Sequence, residues 1–129
     1  MTGTLVGIAS VLAGYLTMAV TVGVMNVALG KAWPGAADAA TVGKAPPTGY
    51  IVANLLLGTV LAGAASLVTA AIAPDPRITW IGVFALLVLA LGFGYAFKQR
   101  GGPQPAWYLF SLPVLGALAI WFVGGWYIG

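Results

Sequence analysis

Cysteine, histidine and glutamate are absent from this 129-residue chain, and charged residues of any kind make up 5% of it. Without cysteine there are no disulfides and no thiolate nucleophile. Without histidine there is neither a haem axial histidine nor the usual zinc ligand set. The only carboxylates are Asp38 and Asp75. A soluble domain carries about 25% charged residues, so this composition cannot cover a water-facing surface. The five basic residues are scattered over separate breaks in the chain, unlike the clustered basic face of a nucleic-acid-binding protein.

The few charges present are informative by position. Lys31, Asp38, Lys44, Asp75, Arg77, Lys98 and Arg100 all fall in short breaks between long apolar stretches. A charge at the centre of bilayer hydrocarbon costs several kcal/mol, and an apolar run of about 20 residues crosses the bilayer as a helix. The sequence therefore predicts an all-α integral membrane bundle of four transmembrane helices in up-down topology. The spans fall at about 4–29, 49–73, 78–97 and 106–127, with one sizeable loop at 30–48. Spans and loops together use the chain as a single transmembrane domain, 1–129. Strands are a poor alternative, because the runs lack period-two alternation and open sheets cannot span lipid. The opening Met1-Thr2-Gly3-Thr4 has no Lys or Arg, so the basic start of a secretory signal peptide is missing and the first run is expected to remain as a helix.

The breaks carry ordinary stop and start signals. Gly30, Lys31 and Trp33-Pro34-Gly35 end the first span, which is long enough to require tilt or a projecting end. Pro46-Pro47 close the loop as an extended piece, part of Ala36 to Ala40 is a candidate interfacial helix, and Thr48 is a candidate N-cap. Pro74-Asp75-Pro76-Arg77 makes a tight turn. Trp33, Tyr50, Tyr95, Phe97, Trp107 and Tyr108 would lie at one interface and Trp80, Trp126 and Tyr127 at the other, with Trp33, Trp80, Trp107, Tyr108 and Trp126 as the main anchors. Trp121 lies off this belt. Lys31, Lys44, Lys98 and Arg100 share a side, against Arg77 alone on the other, so the positive-inside rule places both termini outside the cytoplasm.

Within the spans, small and polar residues stand out. The second span has a helix-packing face of Gly58, Ala62, Gly63 and Ser66, with Thr59, Ala65 and Thr69 nearby, expected to pack against the first span or to form a seam with another subunit. Asn26 lies about a turn before the first span ends and Asn54 about a turn after the second begins, so an antiparallel hairpin brings them to one depth. They read as an interhelical polar pair or as a solute site. Tyr15, Thr17 and Thr21 extend a polar stripe, although hydroxyls also bond back to their own helix. Pro113 should bend the fourth span, with Ser111 near the freed backbone, and Gly92 and Gly94 could loosen the third or admit a bulky neighbour.

Two resemblances add context. Gly49-Tyr-Ile-Val-Ala-Asn54-Leu-Leu-Leu-Gly58 looks a little like the second helix of small fluoride channels, but the Phe-rich break and first-helix arginine of those channels are missing. Small multidrug resistance exporters match in length and helix number, yet their essential glutamate has no counterpart. A third match covers most of the chain: the long first helix, the Trp33-Pro34-Gly35 turn, Thr69-Ala70-Ala71-Ile72-Ala73-Pro74 followed by Arg77, and Pro105-Ala106-Trp107-Tyr108. This layout is similar to a widespread group of small, uncharacterised bacterial four-helix inner-membrane proteins. That group often shows a Gly-Gly-Tyr and an Arg near the end of the second helix, where this chain has Gly63-Ala64-Ala65 and Ala70-Ala71. The resemblance implies the bacterial inner membrane, and a cytoplasmic second loop that opposes the charge count. It implies no activity.

No ionisable residue lies at membrane depth, which removes the usual proton-coupling group. Asp38 and Asp75 fall on opposite sides of the membrane and cannot act as a pair. The sequence thus predicts no enzyme, with no catalytic, cofactor-binding or metal residue and no cofactor. The leading expectation is a non-catalytic membrane protein acting through helix–helix contacts, as an accessory subunit of a membrane complex or a homo-oligomer. Its partners would be membrane lipids, other membrane subunits or itself, and not nucleic acid, with a cationic rim near anionic head groups. The alternative is a channel or carrier for a small neutral or hydrophobic solute, lined by Asn26, Asn54 and first-span hydroxyls.

Overall fold

The computed structural model describes residues 2–33, 48–102 and 105–129. The expectations for Ala36 to Ala40 and for Pro46-Pro47 lie outside the described residues. Four helices make up nearly all of the rest: α1 (Thr2–Ala32), α2 (Thr48–Ile72), α3 (Arg77–Gln99) and α4 (Ala106–Ile128). Each is long and apolar enough to cross a bilayer. A helix suits these sequences because it satisfies its own backbone hydrogen bonds in a medium with no water to do so.

The helix ends follow from the breaks. Lys31 sits in the last turn of α1, where a cation complements the helix dipole, and the Trp33 N–H donates to the Leu29 carbonyl at 2.9 Å. Thr48 is itself the first helical residue of α2, so it is not the cap. α2 stops before Pro74, with the Ala73 N–H donating to the Thr69 carbonyl at 2.8 Å. Pro76 and Pro105 stand in extended backbone ahead of α3 and α4, positions that cost no helical hydrogen bond. Gly101 turns the chain after α3 with φ +82°, a conformation that favours glycine. Arg100 lays its guanidinium over the Phe97 ring, 5.6 Å from the centroid.

At about 1.5 Å per residue, the 31 residues of α1 extend about 46 Å, well beyond a hydrocarbon core of about 30 Å. Its outward face is apolar from end to end, including Leu5, Leu12, Leu16, Val20, Val24 and Val27. Large exposed apolar side chains also cover the other helices. An outer surface of this kind fits a multi-pass membrane protein, whose exterior faces lipid rather than water.

The helices run up and down, and their order around the bundle is α1, α2, α4, α3. Three sides of this ring are long seams. The fourth, between α3 and α1, is a short contact. Glycines locate the close approaches. A Cβ on Gly7 would overlap the Trp80 indole, one on Gly14 would overlap the Thr69 hydroxyl, and one on Gly92 would overlap the Pro113 ring. Gly124 receives Ile81, whose nearest atom would lie 3.0 Å from an added Cβ. Two buried clusters result. One joins Val11, Ala62, Ala65, Ile81, Phe84 and Ile120 from all four helices. The other joins Ile51, Ala96, Tyr108 and Leu109, with no residue from α1.

Two expectations change. The small-residue face of α2 serves α4 more than α1: a Cβ on Gly58 would meet Leu112, one on Gly63 would meet Val123 and Ala119, and Ala62 faces Gly116. The reason is topological, because α2 stands between α1 and α4 and not only beside its hairpin partner. Tyr108 is not an interfacial anchor, since only 6% of it is exposed. It shares an inward α4 face with Leu109, Pro113, Gly116, Ile120 and Gly124, while Trp107 beside it points outward.

Candidate functional site

Polar side chains in an apolar bundle must find partners, and most do so locally. The Thr17 hydroxyl donates to the Ala13 carbonyl at 2.8 Å and Thr21 to the Thr17 carbonyl at 2.7 Å. Thr59 donates to Leu55 at 2.8 Å and Ser66 to Gly63 at 2.5 Å. The polar stripe on α1 is therefore largely satisfied by its own backbone. One threonine hydroxyl crosses between helices. Thr69 donates to the Ser10 carbonyl at 2.8 Å, and the missing side chain of Gly14 makes room for it.

The longest polar chain links three helices. Tyr108 on α4 donates its hydroxyl to Asn54 Oδ1 at 3.0 Å, and Asn54 Nδ2 on α2 donates to Asn26 Oδ1 on α1 at 2.6 Å. Counting turns from the two ends of the α1–α2 hairpin placed the asparagines at one level. Nothing in the sequence pointed to Tyr108 as the third member. Asn54 is buried at the centre of the chain. Its amide holds two donor hydrogens and two acceptor lone pairs, so one of each is left over after these two bonds, among the described residues.

Asn54 also lines a cavity of about 350 Å³. Tyr15, Met18 and Val22 of α1, Asn54, Gly58 and Ala62 of α2, Val88, Leu91, Gly92 and Tyr95 of α3, and Leu109, Leu112, Pro113 and Gly116 of α4 surround it. Small residues meet across the bundle beside it: Gly58, Ala62 and Gly116 carry little or no side chain, and Gly92 admits the Pro113 ring. Its walls are apolar except for Asn54, Tyr15 and Tyr95. No charged side chain lines it. Its volume sits at the low end of the roughly 300–1,000 Å³ typical of small-molecule pockets. At roughly 30 Å³ per non-hydrogen atom, the share a water takes in the liquid, it holds about a dozen atoms.

Of the residues singled out from sequence, the cavity brings together Asn54, Gly58 and Ala62. Asn26 stands behind Asn54, on the exposed side of α1. Gly63 and Ser66 are buried in the α2 packing face and away from the cavity. Trp33 packs near Gly49, Trp80 covers Gly7, and Trp107 and Trp126 project from opposite ends of α4. Sequence reasoning missed Tyr95 and Pro113 as cavity walls. The only available signal was the pairing of an internal proline with a glycine on another span, which does not announce a partner. Among the described residues no group of His, Cys, Asp or Glu could hold a metal ion. No family model, curated protein or solved structure matches this chain.

Proposed function

We propose that this chain is a non-catalytic integral membrane protein that takes up a small neutral, predominantly hydrophobic solute in the cavity between its four helices. The observation that carries this reading is the wall composition: apolar on nearly all sides, uncharged, and furnished at one end with an asparagine that keeps a donor and an acceptor in reserve. Such a site orients a neutral molecule through one or two hydrogen bonds and binds it through apolar area. It offers nothing to an ion, whose desolvation it could not offset.

Equilibrium binding of phenol and of octanol to the purified full chain in detergent micelles tests the reading. Saturable binding of either, lost in Gly58→Leu, which fills the cavity, and weakened in Asn54→Leu, is expected. Binding that is non-saturable, or the same in Gly58→Leu, would overturn it.

A second reading is a protein that acts by helix–helix contact, as an accessory subunit or homo-oligomer. It draws support from the outward side of α1, where Ala19 and Gly23 are exposed one turn apart and an added Cβ on Gly23 would meet nothing within 4 Å. Mild-detergent purification from native membranes separates the two, because a subunit comes out with other membrane proteins or as a multimer. The similarity of layout to small bacterial inner-membrane proteins supports the same location for this chain.

A further inference from the structure

We propose that the cavity is reached sideways from the bilayer, through a cleft between α1 and α3, and that its occupant is a neutral amphiphile with one hydrogen-bonding head and an apolar tail. This rests on the solute-binding reading and names the route and the class of ligand.

One end of the bundle is packed by all four helices and the other by three. Toward the start of α1, Val11, Ala65, Phe84, Ile81 and Ile120 join all four helices below the cavity. Toward the start of α4, Ile51, Ala96, Tyr108 and Leu109 close α2, α3 and α4 over it. α1 is missing from that second cluster. It holds to α2 there instead, through the Asn54–Asn26 hydrogen bond and the contact of Trp33 beside Gly49. In its first half α1 touches α3 closely, where Gly7 meets Trp80 and Gly14 meets Phe84. Past Gly14 a gap stands between the two helices, with Tyr15, Met18 and Val22 on one wall and Val88, Leu91 and Tyr95 on the other.

The cavity occupies that gap. Leu91 and Tyr95 line it and yet are 50% and 53% exposed on the outside of the bundle. The same side chains therefore form both wall and mouth. Across from them, Tyr15, Met18 and Val22 on α1 are each partly exposed. The mouth runs from the middle of α1 and α3, at Met18 and Leu91, to about a turn from the end of α3, at Tyr95.

The chemistry of the lining then selects the head. Tyr15 and Tyr95 carry hydroxyls near the mouth and Asn54 an amide at the inner end, while no ionic group offsets a charged head. Room for about a dozen non-hydrogen atoms suits a head group and the first part of a chain. The remainder of the tail leaves between α1 and α3 into lipid, with no polar surface to cross.

Photolabelling in phosphatidylcholine vesicles tests this with the full chain. The probes are dodecanol bearing a diazirine near its hydroxyl, the corresponding dodecane without the hydroxyl, and a water-soluble photoreactive propanediol. With labels mapped to single residues, the dodecanol probe is expected to label Tyr15, Met18, Val22, Leu91 and Tyr95 several-fold more than the dodecane does, and to be competed by unlabelled dodecanol. Leu91→Trp, a change at a half-exposed site, narrows the mouth and should cut that labelling several-fold. Tyr95→Phe keeps the shape and should shrink the preference for alcohol over alkane. Equal labelling by the two long-chain probes, or labelling confined to outward residues such as Leu12, Leu16 and Val20, would overturn the proposal. Cavity labelling by propanediol but not dodecanol would overturn sideways access and leave solute binding standing. Failure of all three to label the cavity would remove both. If Leu91→Trp loses its helicity, the Tyr95→Phe comparison decides alone.

Discussion

At the scale of single residues, the bundle depends on atoms that are missing as much as on atoms that are present. Gly14 lets the Thr69 hydroxyl reach the Ser10 carbonyl, and Gly7 lets Trp80 lie flat on α1. Overpacking a well-filled core costs about 1–3 kcal/mol. Gly14→Val should therefore lower stability by about that much in reversible unfolding from mixed micelles. Asn54 makes two interhelical hydrogen bonds, and such bonds average about 0.6 kcal/mol in membrane proteins. Asn54→Leu is expected to cost about 1 kcal/mol, and a double-mutant cycle with Asn26→Leu should return a coupling of about 0.6 kcal/mol. A coupling near zero would mean that the amides do not bond to each other in the bilayer. Asn26 and Asn54 were legible as a pair because both are counted from the same hairpin. Tyr108 was not, because an aromatic residue opening a span next to Trp107 has the same appearance whether it faces the interface or the core.

At the scale of elements, α3 and α4 are joined by a proline seated in a glycine notch. Pro113 leaves the Leu109 carbonyl without its helical partner, yet α4 runs on unbroken to Ile128. Its ring is accommodated where Gly92 has no side chain. Gly92→Leu should therefore destabilise the chain more than Pro113→Ala, which removes the ring but restores a backbone donor. The order of the two midpoints in denaturant titration checks this, and the reverse order would show that the ring contact contributes little. The spans themselves were readable to within about three residues at each end, since charge and proline mark the breaks. The partner of each face was not readable. The small face of α2 lies against α4 because sequence neighbours in a four-helix ring need not be the neighbours that share the closest packing.

At the scale of the whole molecule, the bundle closes along three seams and opens along the fourth. The close packing of α1 on α3 ends near Gly14 and Phe84, and farther along α1 the Asn54–Asn26 hydrogen bond ties it to α2. Spin labels at Val22 and Leu91 should report a broader distance distribution than labels at Val11 and Phe84, and equal widths would argue against a cleft. The chain has no cysteine of its own, which makes such pairs straightforward to introduce. The charge distribution makes a separate prediction. Reporter fusions at Gly129 should register outside the cytoplasm if the positive-inside rule governs this chain. A cytoplasmic reporter would instead place the turn between α2 and α3 in the cytoplasm.

The sequence by itself determined four apolar helices, their limits and the exclusion of charge from the bundle interior. Those properties follow from the transfer cost of single residues and from the length needed to cross hydrocarbon. Only the tertiary structure decided the order of helices around the bundle, the recruitment of Tyr108 to the asparagines, and the cavity with its opening between α1 and α3. These depend on which small residues meet which large ones across helices far apart in sequence, and no local pattern encodes that pairing.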